Sequence, residues 1–531
     1  MKQTMRQHSF TSRLKSLAVV FGIALAFASC ANEDVPQNPT DPNKDNDKNL
    51  TTFVTGGETR TSLNYNSGDF YWEKDDYIYV KDDDGVLRKS TNAPTSKVAA
   101  FKYKVPGKFT ANTSYKVYYL GKNSDGSSVS ISTAQSQTAP DNTEHFGTAG
   151  DYGTATATGT LGGGSFSFEL EHQPAYLVFQ PYTSNTILQS CYLTKVEVSS
   201  DNDIAETYTI NPTTGALDAS TVTDGKKIIL MTSGSSNPNG FPLTSSTASV
   251  TTNGAYMVIK PGTHTLKVRY WVKDVATHVE GTITKTYTST AYASNTYYDM
   301  KADLNARDYD GDHYYMWDAQ EQYWKGHEWW SANKDQPVLN NASNGNYPKN
   351  IYDPNNRWFN TSFPGYGISR PAIHSCKDLP NANEMSWYCM YGDPRWDGDE
   401  LWTTMGHLYK GGMWFKKKSV LQAEHHYDTE KSADGTTDIR TTPKAYSNSN
   451  SSIYNSGLPS AADAGNYFYL PALGYYYSYG QLNLIGSYGY YWSSSGSPFN
   501  AYSAFYLCFY NGKVFVDGTN SYYGKRGDWF D

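Results

Sequence analysis

The sequence predicts a mainly β protein, with two tandem β-sandwiches followed by a compositionally distinct third domain. Three observations predict it. Charged residues make up 18% and aromatics 15% of the 531-residue chain, and Tyr, Thr, Ser, Gly and Asn are plentiful. That balance fits secreted β-rich proteins better than helical enzymes rich in Ala, Leu, Glu and Lys. Short alternating apolar and polar runs then recur between Gly, Asn and Pro turns through most of the first three hundred residues. Finally, the composition shifts, because residues 310–531 hold 11 of the 13 Trp.

The chain is too long for one core, so several domains are expected. It opens with a basic stretch (Lys2, Arg6, Arg13, Lys15) and an apolar run from Leu17 to Ala28. That run is too short to span a bilayer and has signal-peptide flanks. Phe27-Ala28-Ser29-Cys30 resembles a bacterial lipobox. The resemblance implies a signal peptide over 1–29 and Cys30 as the lipidated first residue, anchoring the protein to the outer membrane. Ala31-Asn32-Glu33-Asp34 resembles the surface-export signals of Bacteroidetes lipoproteins. Residues 30–50 are Pro/Asp/Asn-rich without apolar periodicity and read as a flexible tether.

Strands are expected at Tyr77–Val80, Tyr115–Leu120, Phe166–Leu170, Leu193–Val198 and Leu266–Val272. Their density suggests one β-sandwich over 51–178 and a second over 179–306. His172 lies in one such apolar strand and reads as a hydrogen-bonded core residue.

Two stretches resemble a family. Thr59-Arg60-Thr61 followed by Trp72-Glu73-Lys74-Asp75-Asp76-Tyr77-Ile78-Tyr79-Val80 is similar to the opening strand of Bacteroidetes fimbrillin-like (Mfa-like) lipoproteins. Glu171-His172-Gln173-Pro174-Ala175-Tyr176 resembles a strand near the end of their first domain. The resemblance implies transthyretin-like sandwiches and assembly into surface fimbriae with other fimbrial subunits by strand exchange. An unpaired sheet edge would template a neighbour's strand. It places maturation cleavage at Arg60, between the tether and the first strand.

Residues 307–531 form the aromatic-rich third domain. Tyr469-Leu470-Pro471-Ala472-Leu473-Gly474-Tyr475 and Gly486-Ser487-Tyr488-Gly489-Tyr490-Tyr491-Trp492-Ser493-Ser494-Ser495 resemble lectin-like domains related to the Fibrobacter major paralogous domain. The resemblance implies a loop-rich α+β C-type-lectin-like domain. Between residues 467 and 495, nine of 29 residues are Tyr. Large rings bury much area in a loop-rich core, and those left outside make a recognition surface. Trp396, Asp397, Asp399 and Trp402 combine rings and acceptors in a turn-rich stretch and are the candidate ligand residues for a glycan or protein.

The acids around them offer the oxygen ligands that Ca²⁺ takes, but no EF-hand spacing accompanies them, and no cofactor or metal is expected otherwise. Four cysteines besides Cys30 allow three pairings, and Cys376 with Cys389 is favoured by proximity, with four free thiols the alternative. His327-Glu328-Trp329-Trp330-Ser331 lacks the second His of a zinc helix, and no nucleophile elbow or phosphate loop is found, so no enzyme is expected. Net charge is −8 with no basic stripe, which argues against nucleic acid as a partner. Lys416-Lys417-Lys418, the one cationic cluster past the signal peptide, reads as a solvated loop. The resulting expectation is an outer-membrane fimbrial subunit, specifically a tip adhesin. A glycan-binding lipoprotein that never polymerises is the alternative.

Overall fold

The computed structural model of the chain describes residues 6–9, 49–55, 62–63, 65, 70–122, 124–275 and 278–531. Cys30 and Arg60 lie outside the described residues. The architecture is mainly β, as the alternation predicts. Among the described residues no helix is long and apolar enough to cross a membrane.

The strand β1 (Arg6–Ser9) belongs to a sheet of the second sandwich. The first sandwich is built from β2 (Leu50–Thr55), β3 (Lys102–Pro106), β4 (Ser114–Tyr119), β5 (Gly153–Gly159) and β6 (Ser165–Phe168), with short strands at Tyr79–Lys81 and Leu87–Lys89. Its sheet runs Leu87–Lys89, Tyr79–Lys81, β4, β5, β6, β2, β3. β2 therefore lies inside the sheet, parallel to β6 and antiparallel to β3. It buries Phe53 between Phe109 and Phe166, with ring centres 5.2 and 5.4 Å away. This corrects the expected order, because a strand of the first sheet precedes Arg60.

The second sandwich packs two sheets. In one, β1, β13 (Thr296–Asp303), β7 (Ala175–Tyr182) and β10 (Ala255–Ile259) follow one another. In the other, β9 (Lys227–Met231), β8 (Tyr192–Ser200), β11 (Gly262–Lys273) and β12 (Glu280–Tyr292) lie side by side. β7 is parallel to β13, and its first seven residues are all buried, so it reads as a continuous apolar run and not an alternating one. The boundary expected at 178/179 falls inside β7, whose partners both belong to the second sandwich. The segment around Ile131, Phe146 and Ala149 also joins that core, and the Phe146 ring stacks on Tyr176 at 4.9 Å. Spacing cannot reveal such an excursion, because it depends on which core covers an apolar residue. His172 is buried, with Nδ1 3.0 Å from the Asp151 carboxylate, which also accepts from the Tyr176 hydroxyl at 2.7 Å. It is a core residue.

The third domain contributes β14 (Arg395–Thr404), β15 (His407–Lys416) and β16 (Tyr467–Pro471), which continue the second sandwich's sheet through one parallel bridge, Thr282 to Glu400. A separate antiparallel sheet carries β17 (Tyr488–Gly496), β18 (Ser503–Tyr510) and β19 (Lys513–Asn520), with β20 (Lys525–Arg526) beside β17. A ten-residue helix, Ala382–Tyr391, packs on that sheet. Asn381 caps it, accepting from the Glu384 N–H at 3.0 Å while the Glu384 carboxylate accepts from the Asn381 N–H at 2.7 Å.

Candidate functional site: the aromatic domain and its junction

Trp396, Asp397, Asp399 and Trp402 all lie on β14, which pairs with β15 on either side of an irregularity between Asp397 and Leu401 that contains Asp399. They do not form an exposed recognition loop. Trp396 is 6% and Trp402 1% exposed, so neither ring has a free face for a sugar. The Trp402 indole donates to the Gly411 carbonyl at 2.9 Å. Asp397 is buried at the junction with the second sandwich, accepting from Arg269 Nη2 at 3.0 Å, Trp414 Nε1 at 3.1 Å and the Asp399 N–H at 3.1 Å. Only Asp399 stays half-exposed, near Lys410. The stretch has the composition of a recognition loop, but the bridge from Glu400 to Thr282 draws it against the second sandwich.

Glu400 completes this junction. Its carboxylate accepts from Thr282 Oγ1 at 3.0 Å, Thr284 N–H at 2.9 Å and Thr284 Oγ1 at 2.7 Å. Burial, and then the neighbouring Asp397 charge, hold it up to about 7, against the pull of Arg269. Arg269 thus faces two carboxylates from the other domain.

Cys376 and Cys389 are not paired. Cys376 sits in a small cluster with Trp317 and Trp492, its sulfur accepting from the Asp318 N–H at 3.3 Å. Cys389 sits on the helix Ala382–Tyr391, its thiol donating to the Val514 carbonyl at 3.6 Å. The two occupy different apolar clusters, so nearness in sequence did not translate into facing sulfurs. Burial pushes each thiol up to about 12. Cys191 and Cys508 are free and buried as well.

The tyrosine-rich stretch divides its rings by strand parity. Tyr491 on β17, with Phe505, Leu507 and Phe509 on β18, is buried on the core side, whereas Trp492, next along the strand, is buried on the opposite side beside Lys525 and in a cluster with Trp317. Tyr488, Tyr490, Tyr506 and Tyr510 are half-buried on the other side, in mutual ring contact at 4.6–6.1 Å. Gly489 makes room on the core side, since a Cβ there would stand 2.1 Å from the Phe509 ring. This is the division expected of a ring-rich sheet with one wet face.

Beneath that outer face lies Lys525, 1% exposed. Its ammonium is 4.4 Å from the ring centres of Tyr475 and Tyr490, 4.5 Å from Tyr506 and 5.4 Å from Trp492 and Tyr523. Burial pushes it down to about 7, while the ring faces work the other way, favouring the charge. Nothing in the sequence around Lys525 marks this cage, because its walls come from four separate segments. Lys525→Ala is expected to cost about 3 kcal/mol by emptying the cage and ending the cation–ring contacts. Denaturant unfolding measures it, and a loss below about 1 kcal/mol would mean that the cage closes over the gap.

Residues 525–531 are locked into the domain. Arg526 is buried, paired with Asp528, and donates to the Asp310 carbonyl at 2.6 Å. The Phe530 ring meets Tyr309 at 5.1 Å. The Asp531 carboxylate accepts from the Lys418 N–H at 2.7 Å and from the Tyr388 hydroxyl.

No family model matches the chain, and no curated protein does. Several solved structures share a low-level likeness. A Bacteroides ovatus protein proposed to act in cell adhesion is 13% identical, covering 48% of this chain and 92% of its own, with a TM-score of 0.31. The fimbrial anchor protein Mfa2 of Porphyromonas gingivalis is 13% identical, covering 44% and 82%, with a TM-score of 0.21. A fimbrial protein of Bacteroides ovatus is 12% identical and covers 88% of this chain and 99% of its own, with a TM-score of 0.22.

Proposed function

We propose that the chain is an outer-membrane fimbrial subunit, placed at a filament tip, which joins its neighbours by β-strand exchange and binds a glycan or protein ligand through residues 307–531. The observation that carries this reading is the place of β2. A strand lying wholly ahead of Arg60 supplies an inner position of the first sheet, between β6 and β3. Cutting at Arg60 would remove it and leave two unpaired strand edges, the template that β-augmentation needs. β1, from the signal segment, pairs along β13 in the second sandwich, so removal of the leader would free a further edge.

The tip position follows from the ligand role read for residues 307–531, because a ligand-binding domain is best presented at the end of a filament. The ligand role is supported by the tyrosine-paved outer face of β17 and β18, whose half-buried rings pack against one another. The Cys30 lipobox supports outer-membrane attachment before maturation.

N-terminal mass analysis of the protein sheared from cells with surface filaments tests the proposal. A terminus at Thr61 in the filament fraction is the expected result. A lipidated Cys30 terminus confined to non-filamentous membrane would replace it with a glycan-binding lipoprotein that does not polymerise.

A further inference from the structure

The junction between the second sandwich and the third domain encloses a cavity of about 230 Å³. That is smaller than the 300–1,000 Å³ usual for drug-sized ligands, and suits a single sugar ring. Lys267 and Arg269 from β11 and Lys417 at the end of β15 bring three cations to it. The lining holds one acid, Asp397, whose oxygens are already taken by Arg269, Trp414 and the Asp399 N–H.

The two lysines have no such partner. Lys267 donates to the Pro459 carbonyl, and Lys417 donates to the Gly465 carbonyl at 2.7 Å; neither makes an ion pair among the described residues. Burial, and then the Arg269 charge, push the Lys267 ammonium down to about 8. It remains mostly protonated at neutral pH, within a wall already crowded with positive charge. Lys417 belongs to the run read from sequence as a solvated loop, but it faces this cavity. The other walls include the Trp414 and Tyr467 rings, the Thr284 and Thr286 side chains, and an apolar side from Leu458 to Gly465. Cations lacking counter-ions, a ring face and a hydroxyl together describe a pocket for a small polyhydroxylated anion.

We propose that this cavity binds the carboxylated sugar of an acidic glycan, its carboxylate between Lys267 and Lys417 and its ring against Trp414. The proposal rests on the reading that the third domain binds a ligand, and narrows the ligand to a chemical class.

The test is calorimetric titration of the purified chain with D-glucuronate, D-glucose and acetate. Glucuronate is expected to bind at least about tenfold more tightly than either control, because only it offers both the charge and the ring. Lys267→Met and, at the rim, Lys417→Gln are each expected to weaken glucuronate by about tenfold while the thermal melting curve stays unchanged. Equal binding of glucose and glucuronate, equal binding of acetate, or wild-type affinity in both variants would overturn the assignment. A parallel screen of immobilised neutral and acidic glycans separates the two levels. If neutral glycans alone are held, and equally by Lys267→Met, the acidic-sugar site falls and the ligand-binding reading stands. If no glycan or purified host surface protein is held, that reading falls with it.

Discussion

A chain beginning at Thr61 is expected to lose the cooperative melting of its first sandwich and to recover it when a peptide of residues 49–55 is added. The reason is where β2 sits. Phe53 is fully buried against Phe109 and Phe166, and removing a buried Phe side chain alone costs about 3–5 kcal/mol. Truncation also strips the ladder partners of both β6 and β3, in register from Ser165–Thr52 to Phe168–Thr55 on one side and from Leu50–Pro106 to Val54–Lys102 on the other. Together these losses approach the whole stability of a typical domain, about 5–15 kcal/mol. The peptide carries the same Phe and the same ladder groups, so it refills the gap by augmentation. Differential scanning calorimetry with and without peptide reads this directly. An unchanged first-sandwich transition in the truncated chain would mean that β2 is dispensable, and the strand-exchange reading would lose its support. A peptide with Phe53 replaced by Ala is expected to rescue poorly, which separates ring burial from backbone pairing.

The second large effect is expected at the junction. Arg269→Met leaves Asp397 and Glu400 together without the cation that they face, and breaking a buried pair by removing one partner costs about 3–5 kcal/mol. The loss carries a pH signature. With Arg269 gone, the Glu400 carboxyl is held further above its unfolded value, since burial and the Asp397 charge remain and the attraction does not. A carboxyl raised in the folded state favours folding most at low pH and loses that contribution as pH rises through its folded value. The variant is therefore expected to lie closest to wild type in mild acid and to fall furthest behind above about pH 7, the region to which Glu400 is already raised in the intact protein. Urea unfolding at several pH values measures the gap. A constant gap would show that the carboxylates find other partners, such as Lys267, which feels the Asp397 charge, and Lys285, which feels that of Glu400.

Much of the architecture was legible. Alternation in Phe166–Leu170 and Leu193–Val198 marked real strands, because a strand with one wet face must alternate. His172 was read correctly as core, since an apolar strand offers it burial and Asp151 offers it a partner. The candidate ligand stretch was not legible. Trp396, Asp397, Asp399 and Trp402 have the composition of a binding loop, and composition is the same whether a residue faces solvent or a neighbouring domain. The cage around Lys525 was hidden for a related reason, because its rings come from Tyr475, β17, β18 and Tyr523, and a lone Lys near a Gly and an Arg signals nothing.

The sequence by itself determined what is local: the period-two pattern of the strands and the change in composition near residue 307. Only the tertiary structure decided what is relational: that β2 fills an inner place in a sheet it enters from far upstream, that Asp397 answers Arg269 instead of a ligand, that Cys376 and Cys389 face apart, and that Lys267 and Lys417 share one cavity. The physical reason is that periodicity reports how many faces a segment buries, whereas the identity of the covering surface depends on contacts between residues far apart in the chain.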